Sequence, residues 1–401
     1  MKKLIFVFLA SVLLAGCAVK EECTVFAKIL QKASEHYSEK AEQAPPPFAG
    51  PTPREVIEQF LDLQYRAYTG LKQADYSRLM DMSQIRNRNE AAWLDTLILR
   101  RKLIAENRFC YVETRHFPYT IHFDRDANDE RMEFWETEAS AGSAETVVHF
   151  TITGEKGRAY PPFFAVNAQH TMKLKQTSEG WVITFHYYPG SERKFGRGSQ
   201  LEPPSKQDLL KSLRNEFRKE TARVDVQQTD PPAGSIPYNG RQAVRYAKAY
   251  AETPNPAFYR ISDWMGNCSN FTSQCIWYGF SGEGQDAVER RDGMTGEWFA
   301  GSGGGSPAWE NVEHFWTYVS EETEHGLKGT VADTVLQLKP GGLVQMCANG
   351  YGDPEAVYNH SLLLIDQPTL MLAQNTPGCF VYYSDLANTE LRFWNPKYLT
   401  E

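Results

Sequence analysis

Cys268, His360 and Asn375 are the residues whose types and order in this 401-residue chain could together perform nucleophilic chemistry. Cys268 follows a Gly266-Asn267 turn signal and stands at the first turn of an apolar helical pattern. Phe271, Cys275 and Tyr278 recur at spacings of three and four, Thr272 fills the same face, and Gly279 ends the run. The first turn of a helix has backbone N–H groups without internal partners and carries the positive end of the macrodipole. Both favour a thiolate, the nucleophilic form of cysteine. A lone cysteine more often simply packs, so the case rests on a base elsewhere. Cys275 reads as such a packing residue or a disulfide partner, and its distance from Cys268 does not fit a zinc pattern.

His360 opens an apolar strand running to Ile365 and supplies the base. If Asp366-Gln367-Pro368-Thr369 is a hairpin loop, Ile365 pairs with Leu370 and Leu364 with Met371. In that register His360 faces Asn375, while Gln374 points away. A side-chain oxygen on one ring nitrogen fixes the tautomer and leaves the other nitrogen for the thiol. The backbone N–H of Cys268 would contribute to an oxyanion hole, with Asn267 or Ser262 as guesses for a second donor. No metal or organic cofactor is implied.

These residues need a rigid frame, and residues 236–401 are expected to supply it. Arg241–Ala251 reads as a helix stopped by Pro254-Asn255-Pro256. Gly301–Ser306 is a glycine-rich loop without the order of a phosphate loop. It feeds a helix capped by Ser306 with Pro307 at its first position, carrying Trp309, Val312, Phe315, Trp316 and Val319 on one side. That stripe reads as core. Strands are expected at Leu343–Cys347, His360–Ile365, Leu370–Gln374 and Phe380–Tyr383.

Upstream, residues 52–190 form an expected α+β domain. It opens on Thr52-Pro53-Arg54-Glu55, a capping box with proline at the first helical position. Ile57, Phe60, Leu61, Gln64 and Tyr68 share one face of that helix. Further helices are expected over Ala74–Met82 and Asn89–Asn107. Strands follow at Tyr111–Phe123, Arg131–Glu138, Glu145–Thr153, Ala165–Gln176 and Trp181–Tyr188, the last two joined by a Ser178-Glu179-Gly180 turn. His116, His122, His149, His170 and His186 fall on these strands at spacings that match no metal motif and read as structural. Residues 191–235 are a linker with one helix, capped by Ser205 and carrying Leu209, Leu210, Leu213 and Phe217.

Residues 1–16 read as a targeting segment. Lys2 and Lys3 precede an apolar run from Leu4 to Leu14, too short to span a bilayer. Leu14-Ala15-Gly16-Cys17 then resembles a bacterial lipoprotein signal, which makes Cys17 the expected lipidation site and the membrane a partner through that anchor. Residues 17–51, with Pro45-Pro46-Pro47 and an expected short helix over Cys23–Lys40, read as a tether. An export route permits disulfides, and Cys347 with Cys379 is the pair to test first. The net charge of -8 argues against nucleic acid as a partner.

Two resemblances add to this reading. The helices-then-strands order of residues 52–190 looks like the cone-shaped fold of the nuclear-transport-factor-like superfamily, whose members often bind ligands or partners. Residues 238–384 resemble the putative amidase domain family. The carriers are Tyr238-Asn239-Gly240-Arg241, Asn255-Pro256, the signature Gly266-Asn267-Cys268-Ser269-Asn270-Phe271-Thr272-Ser273-Gln274-Cys275, Ser306 to Trp309, and His360. Asn267 replaces the family's usual aspartate, and Asn375 stands where a second histidine is common. The family is similar to the CHAP and NlpC-type peptidoglycan hydrolases. The resemblance implies a papain-like fold, with helices packed on an antiparallel sheet, and a cysteine-dependent amide hydrolase acting on peptidoglycan or another peptide. A domain that only binds cell-wall peptide or glycan, and an acyl transferase using the same thiol, remain open alternatives here.

Overall fold

The structure, a computed structural model, describes residues 51–124, 144–191, 205–220, 231–261, 267–281, 297–301, 304–321, 325–347, 357–376, 379–387 and 389–400. The leader, Cys17, the tether and the strand expected over Arg131–Glu138 lie outside them. Pro51–Glu401 forms one compact unit, and its fold is α+β, the class that was expected. Among the described residues no helix is long and apolar enough to cross a membrane.

Helix α1 (Pro53–Gly70) begins where the capping box placed it: Thr52 accepts from the Glu55 N–H, and the Glu55 carboxylate accepts from Thr52 N–H. Such a cap is worth about 1 kcal/mol. Ile57, Phe60, Leu61, Gln64 and Tyr68 are all buried on one face. Helix α2 (Ile85–Glu106) starts four residues before the expected Asn89. No helix forms over 74–82. There Asp75 and Asp81 accept from the backbone of Ser77 and Ser83, and these local bonds compete with helix formation.

Strands β1 (Tyr119–Phe123), β2 (Glu145–Gly154), β3 (Gln169–Thr177) and β4 (Gly180–Tyr187) make an antiparallel sheet in chain order. The expected strand from Tyr111 is cut to its last five residues. The backbone upstream is already engaged: Tyr111 N–H donates to the Pro368 carbonyl, the Glu113 carbonyl accepts from Arg101, and Phe117 N–H donates to the Tyr65 hydroxyl. Strand β3 starts later than expected because Ala165 and Asn167 sit in left-handed backbone. The linker helix α3 (Lys206–Glu220) is capped by Ser205, and its Leu213 and Phe217 are buried. Phe217 meets Phe109 edge-on, so this helix packs on the first sheet's layer.

The second layer holds β5 (Ile236–Pro237), α4 (Gly240–Tyr250), α5 (Cys268–Ser281), α6 (Pro307–Glu310), α7 (Val312–Ser320), β6 (Gly326–Ala332), β7 (Leu343–Cys347), β8 (His360–Asp366), β9 (Met371–Ala373), β10 (Phe380–Tyr382) and β11 (Glu390–Thr400). Among the described residues its sheet has seven strands in the order β10-β9-β8-β7-β11-β5, with β6 also on β11. Helix α5 extends past Gly279 to Ser281. Gly279 is there for close packing: a Cβ would meet the Tyr238 ring at 2.1 Å. The single helix expected after Ser306 is two, because extended Asn311 interrupts it and caps α7 by accepting from Glu313 and His314 N–H. Trp309, Val312 and Phe315 are core residues, as the stripe suggested. Cys110, Cys268, Cys275, Cys347 and Cys379 form no disulfide. Cys347 and Cys379 cannot pair here, since β9 and β8 lie between their strands.

The two layers interlock through buried charge. Arg101 donates to the Tyr68 hydroxyl (2.6 Å) and lies 3.4 Å from the Asp385 carboxylate, which also accepts from Tyr68 (2.8 Å). Arg100 donates to the carbonyls of Ser384 and Tyr383. Removing one partner of such a buried pair costs roughly 3–5 kcal/mol.

Candidate active site

Cys268 is the first residue of α5, and the helix behind it is buried on all sides. An all-buried helix normally carries apolar residues alone, yet this one carries Ser269, Asn270, Ser273 and Gln274, with Asn267 directly before it. Each has partners. Asn267 Oδ1 accepts from Asn270 Nδ2 (2.8 Å) and Ile261 N–H (3.2 Å). Asn270 Oδ1 accepts from Gln274 Nε2 (2.9 Å) and Trp309 Nε1 (2.7 Å). Gln274 Oε1 accepts from the Tyr246 hydroxyl at 2.6 Å, and Ser273 donates to the Trp309 carbonyl at 2.9 Å. These bonds tie α5 to α4, to the Tyr259–Ile261 segment and to α6, which fixes where the sulfur sits. The polar spacing of three and four at Asn267, Asn270 and Gln274 was the readable sign of this face, and periodicity of apolar residues alone passes over it.

Cys268 is 7% exposed, and its sulfur is hydrogen-bonded to His360. Burial pushes the thiol's pKa up. The charge and hydrogen bond of His360, the Ser361 N–H and the Ser269 hydroxyl outweigh that, bringing it down to about 7. Two residues placed ninety-two positions apart by sequence reasoning are therefore in direct contact.

The third residue differs from expectation. His360 Nε2 lies 2.6 Å from Gln374 Oε1. An amide oxygen only accepts, so Nε2 carries the proton, and Nδ1 is the nitrogen left for the thiol. Asn375 does not touch this ring. Its oxygen accepts from Asn267 Nδ2 (2.9 Å) and its amide donates to the Ala251 carbonyl (2.8 Å). The cause is register. Leu364 pairs with Leu372, not Met371, and Asp366 pairs with Met371 across an irregularity at Ile365. Asp366 accepts from Thr369 N–H and hydroxyl, which moves the loop to Gln367–Leu370 with Leu370 in left-handed backbone. A one-residue slip exchanges the two faces, so Gln374 joins His360 and Asn375 turns toward the start of α5. Of the guessed oxyanion donors, Asn267 directs its amide to Asn375, and Ser262 lies outside the described residues.

The histidines of the first sheet are arranged otherwise. His170 donates through Nε2 to the Phe164 carbonyl (2.7 Å) and meets His186 Nε2 through Nδ1 (3.2 Å). His186 Nδ1 lies 3.8 Å from Glu90. Burial lowers the pKa of His170 to about 4, and burial followed by His170 holds His186 well below the usual histidine value. His122 bonds Thr153 and His149 bonds Thr171 across strands, and His116, which precedes β1, lies tilted against the Tyr65 ring. Among the described residues no group of three His, Cys, Asp or Glu is placed to hold a metal ion.

No curated protein and no solved structure matches the chain. Residues 237–376 match a protein family described as putative amidase domain, a stretch that contains Cys268, His360 and Gln374, and the match supports an amide-bond hydrolase.

Proposed function

We propose that this protein is an exported, lipid-anchored cysteine amidohydrolase that cleaves an amide bond in peptidoglycan peptide. The observation that carries the reading is the Cys268–His360 contact, with the thiol's pKa at about 7 although the sulfur is buried. A nucleophile with its base in hydrogen-bond contact, and the base oriented by a third group, is the arrangement an acyl-enzyme mechanism needs. Export and anchoring rest on the Lys2-Lys3 leader and the Leu14-Ala15-Gly16-Cys17 order. The choice of cell-wall peptide rests on the resemblance of the cysteine signature to papain-like wall hydrolases.

The thiolate of Cys268 attacks the carbonyl carbon, and His360 Nδ1–H then protonates the departing amine. Water enters, Nδ1 takes its proton, and the thioester is hydrolysed to release the acid. Gln374 holds Nε2–H throughout, so the imidazolium keeps its orientation. The backbone N–H of Cys268, at an unpaired helix start, donates to the developing oxyanion. Digestion of purified peptidoglycan by wild type and Cys268→Ala, with mass analysis of the fragments, tests the reading. New amino and carboxyl termini are expected from wild type only; fragments of equal yield from both proteins overturn it.

A further inference from the structure

Arg392, Gln345 and Ser361 stand directly opposite one another on three neighbouring strands, β11, β7 and β8. Directly opposed residues share a face, and on this sheet the face with Ser361 meets α5. Gln345 is fully buried and Ser361 nearly so. Arg392 Nε donates to Gln345 Oε1 (2.8 Å). Gln345 Nε2 donates to the Val312 carbonyl (3.0 Å) and to the Ser361 hydroxyl (3.4 Å). The Ser361 hydroxyl lies 3.3 Å from that of Ser269, and Ser269 is hydrogen-bonded to the Cys268 sulfur.

The direction of this row follows from its first member. A guanidinium has donors and no acceptor, so Arg392 fixes the Gln345 amide with its oxygen inward to the guanidinium and its NH2 outward. Ser361 oxygen is thereby used as an acceptor, and its own proton is free to go to Ser269. Ser269 then spends its proton on sulfur. Every link donates toward Cys268, and such chains polarise one another in a low-dielectric interior.

We infer that a one-way row of hydrogen-bond donors, running from the Arg392 guanidinium through Gln345, Ser361 and Ser269, holds the Cys268 sulfur in its thiolate form. This rests on the amidohydrolase reading for its purpose, while the row itself is a property of the resting protein. Arg392 is built into place. Its guanidinium lies 4.3 Å over Trp316 and 4.0 Å over Tyr358, and it donates to Glu313 Oε2 at 3.1 Å. Glu313 Oε1 accepts from Tyr358 N–H (2.9 Å), two residues before His360, so the same carboxylate steadies the lead-in to the base. The titratable group facing the sulfur is His360, on β8. Those facing Arg392 are Glu313 on α7 and Tyr358, the latter in turn near Glu390 and Cys347. Arg392, Gln345, Ser361 and Ser269 act as positioning residues. Arg392 lies outside the matched stretch 237–376.

The test is the rate of iodoacetamide alkylation of Cys268 against pH, read by mass spectrometry of its peptide, with the full protein and no substrate. Ser361→Ala and Ser269→Ala each move the rise of the profile to higher pH and slow alkylation at about pH 6 by roughly three- to tenfold. Ser361→Thr, which keeps a hydroxyl, restores the wild-type profile. Arg392→Gln shifts it the same way by less. Circular dichroism confirms that each variant is folded; Ser269→Ala carries the test if Ser361→Ala does not fold. Profiles of both alanine variants that overlay the wild type overturn the row. If they shift while wild type leaves peptidoglycan intact, the row stands and the amidohydrolase reading falls.

Discussion

Two histidine sites in this molecule use the same side chain to opposite ends. At the sheet of the first layer, His170 and His186 contact each other, a backbone carbonyl and Glu90, all inside the core. At the second sheet, His360 opens a strand, half-buried, between a thiol and an amide. Desolvation dominates the first site and keeps both rings neutral. In the second, the partner is a thiol at a helix start, and charging ring and sulfur together offsets the cost of burial. The difference between the two sites is therefore that the second nitrogen of His360 faces a thiol at a helix start. The fixed partners alone do not decide it, since each site has one.

The largest contrast is expected on removing the rings. His360→Ala should lower amide cleavage near neutral pH by roughly 10²–10⁴-fold and Cys268 alkylation at pH 7 by at most about 50-fold, the thiolate lost as the thiol moves from about 7 toward 9.0, with folding retained. His170→Ala should leave alkylation unchanged in the folded protein and cost about 1–3 kcal/mol of stability, measured by urea unfolding. A loss of alkylation in His170→Ala at full folding would erase the distinction between the sites.

Next comes the orienting amide. Gln374→Ala should lower kcat by roughly tenfold or more, because the ring loses the acceptor that fixes its tautomer. Asn375→Ala should act more weakly, through Asn267 and the Ala251 carbonyl. The reverse ranking in steady-state kinetics would show that the ring is held from the other face.

The smallest effect concerns pH and stability. The unfolded chain binds a proton at His170 near the ordinary value of 6.5, whereas the folded chain binds it only near about 4. Between these values the unfolded state holds more protons, so stability falls as pH drops through that window. Chemical denaturation across the window should give a flatter curve for His170→Gln than for wild type. Parallel curves would mean that the ring is protonated alike in both states.

Much of the frame was legible. The Thr52 box, the start of the Cys268 helix and the strands carrying Cys347 and His360 follow from local spacing, and the structure places them there. The pairing of Cys268 with His360 was also legible, because a thiol at a helix start needs a base and His360 opens an apolar strand. The third partner was not. Whether Gln374 or Asn375 faces the ring depends on one residue of register, set by the Asp366–Thr369 bonds and the irregularity at Ile365. Strand β11 escaped notice because both its faces are largely buried, which removes the alternation that marks a strand, and Pro396 interrupts it. The break at Asn311 depends on a side-chain cap that competes with a continuous helix. The row from Arg392 to Cys268 joins strands far apart in sequence, and no local pattern encodes it.

On this reading His360 makes Cys268 a thiolate. The most direct measurement is the pH dependence of Cys268 alkylation in wild type and in His360→Ala. The wild-type profile should reach half its height at about 7, and that of His360→Ala should move up toward the ordinary thiol value of 9.0. Coincident profiles would mean that His360 does not set the ionisation of Cys268.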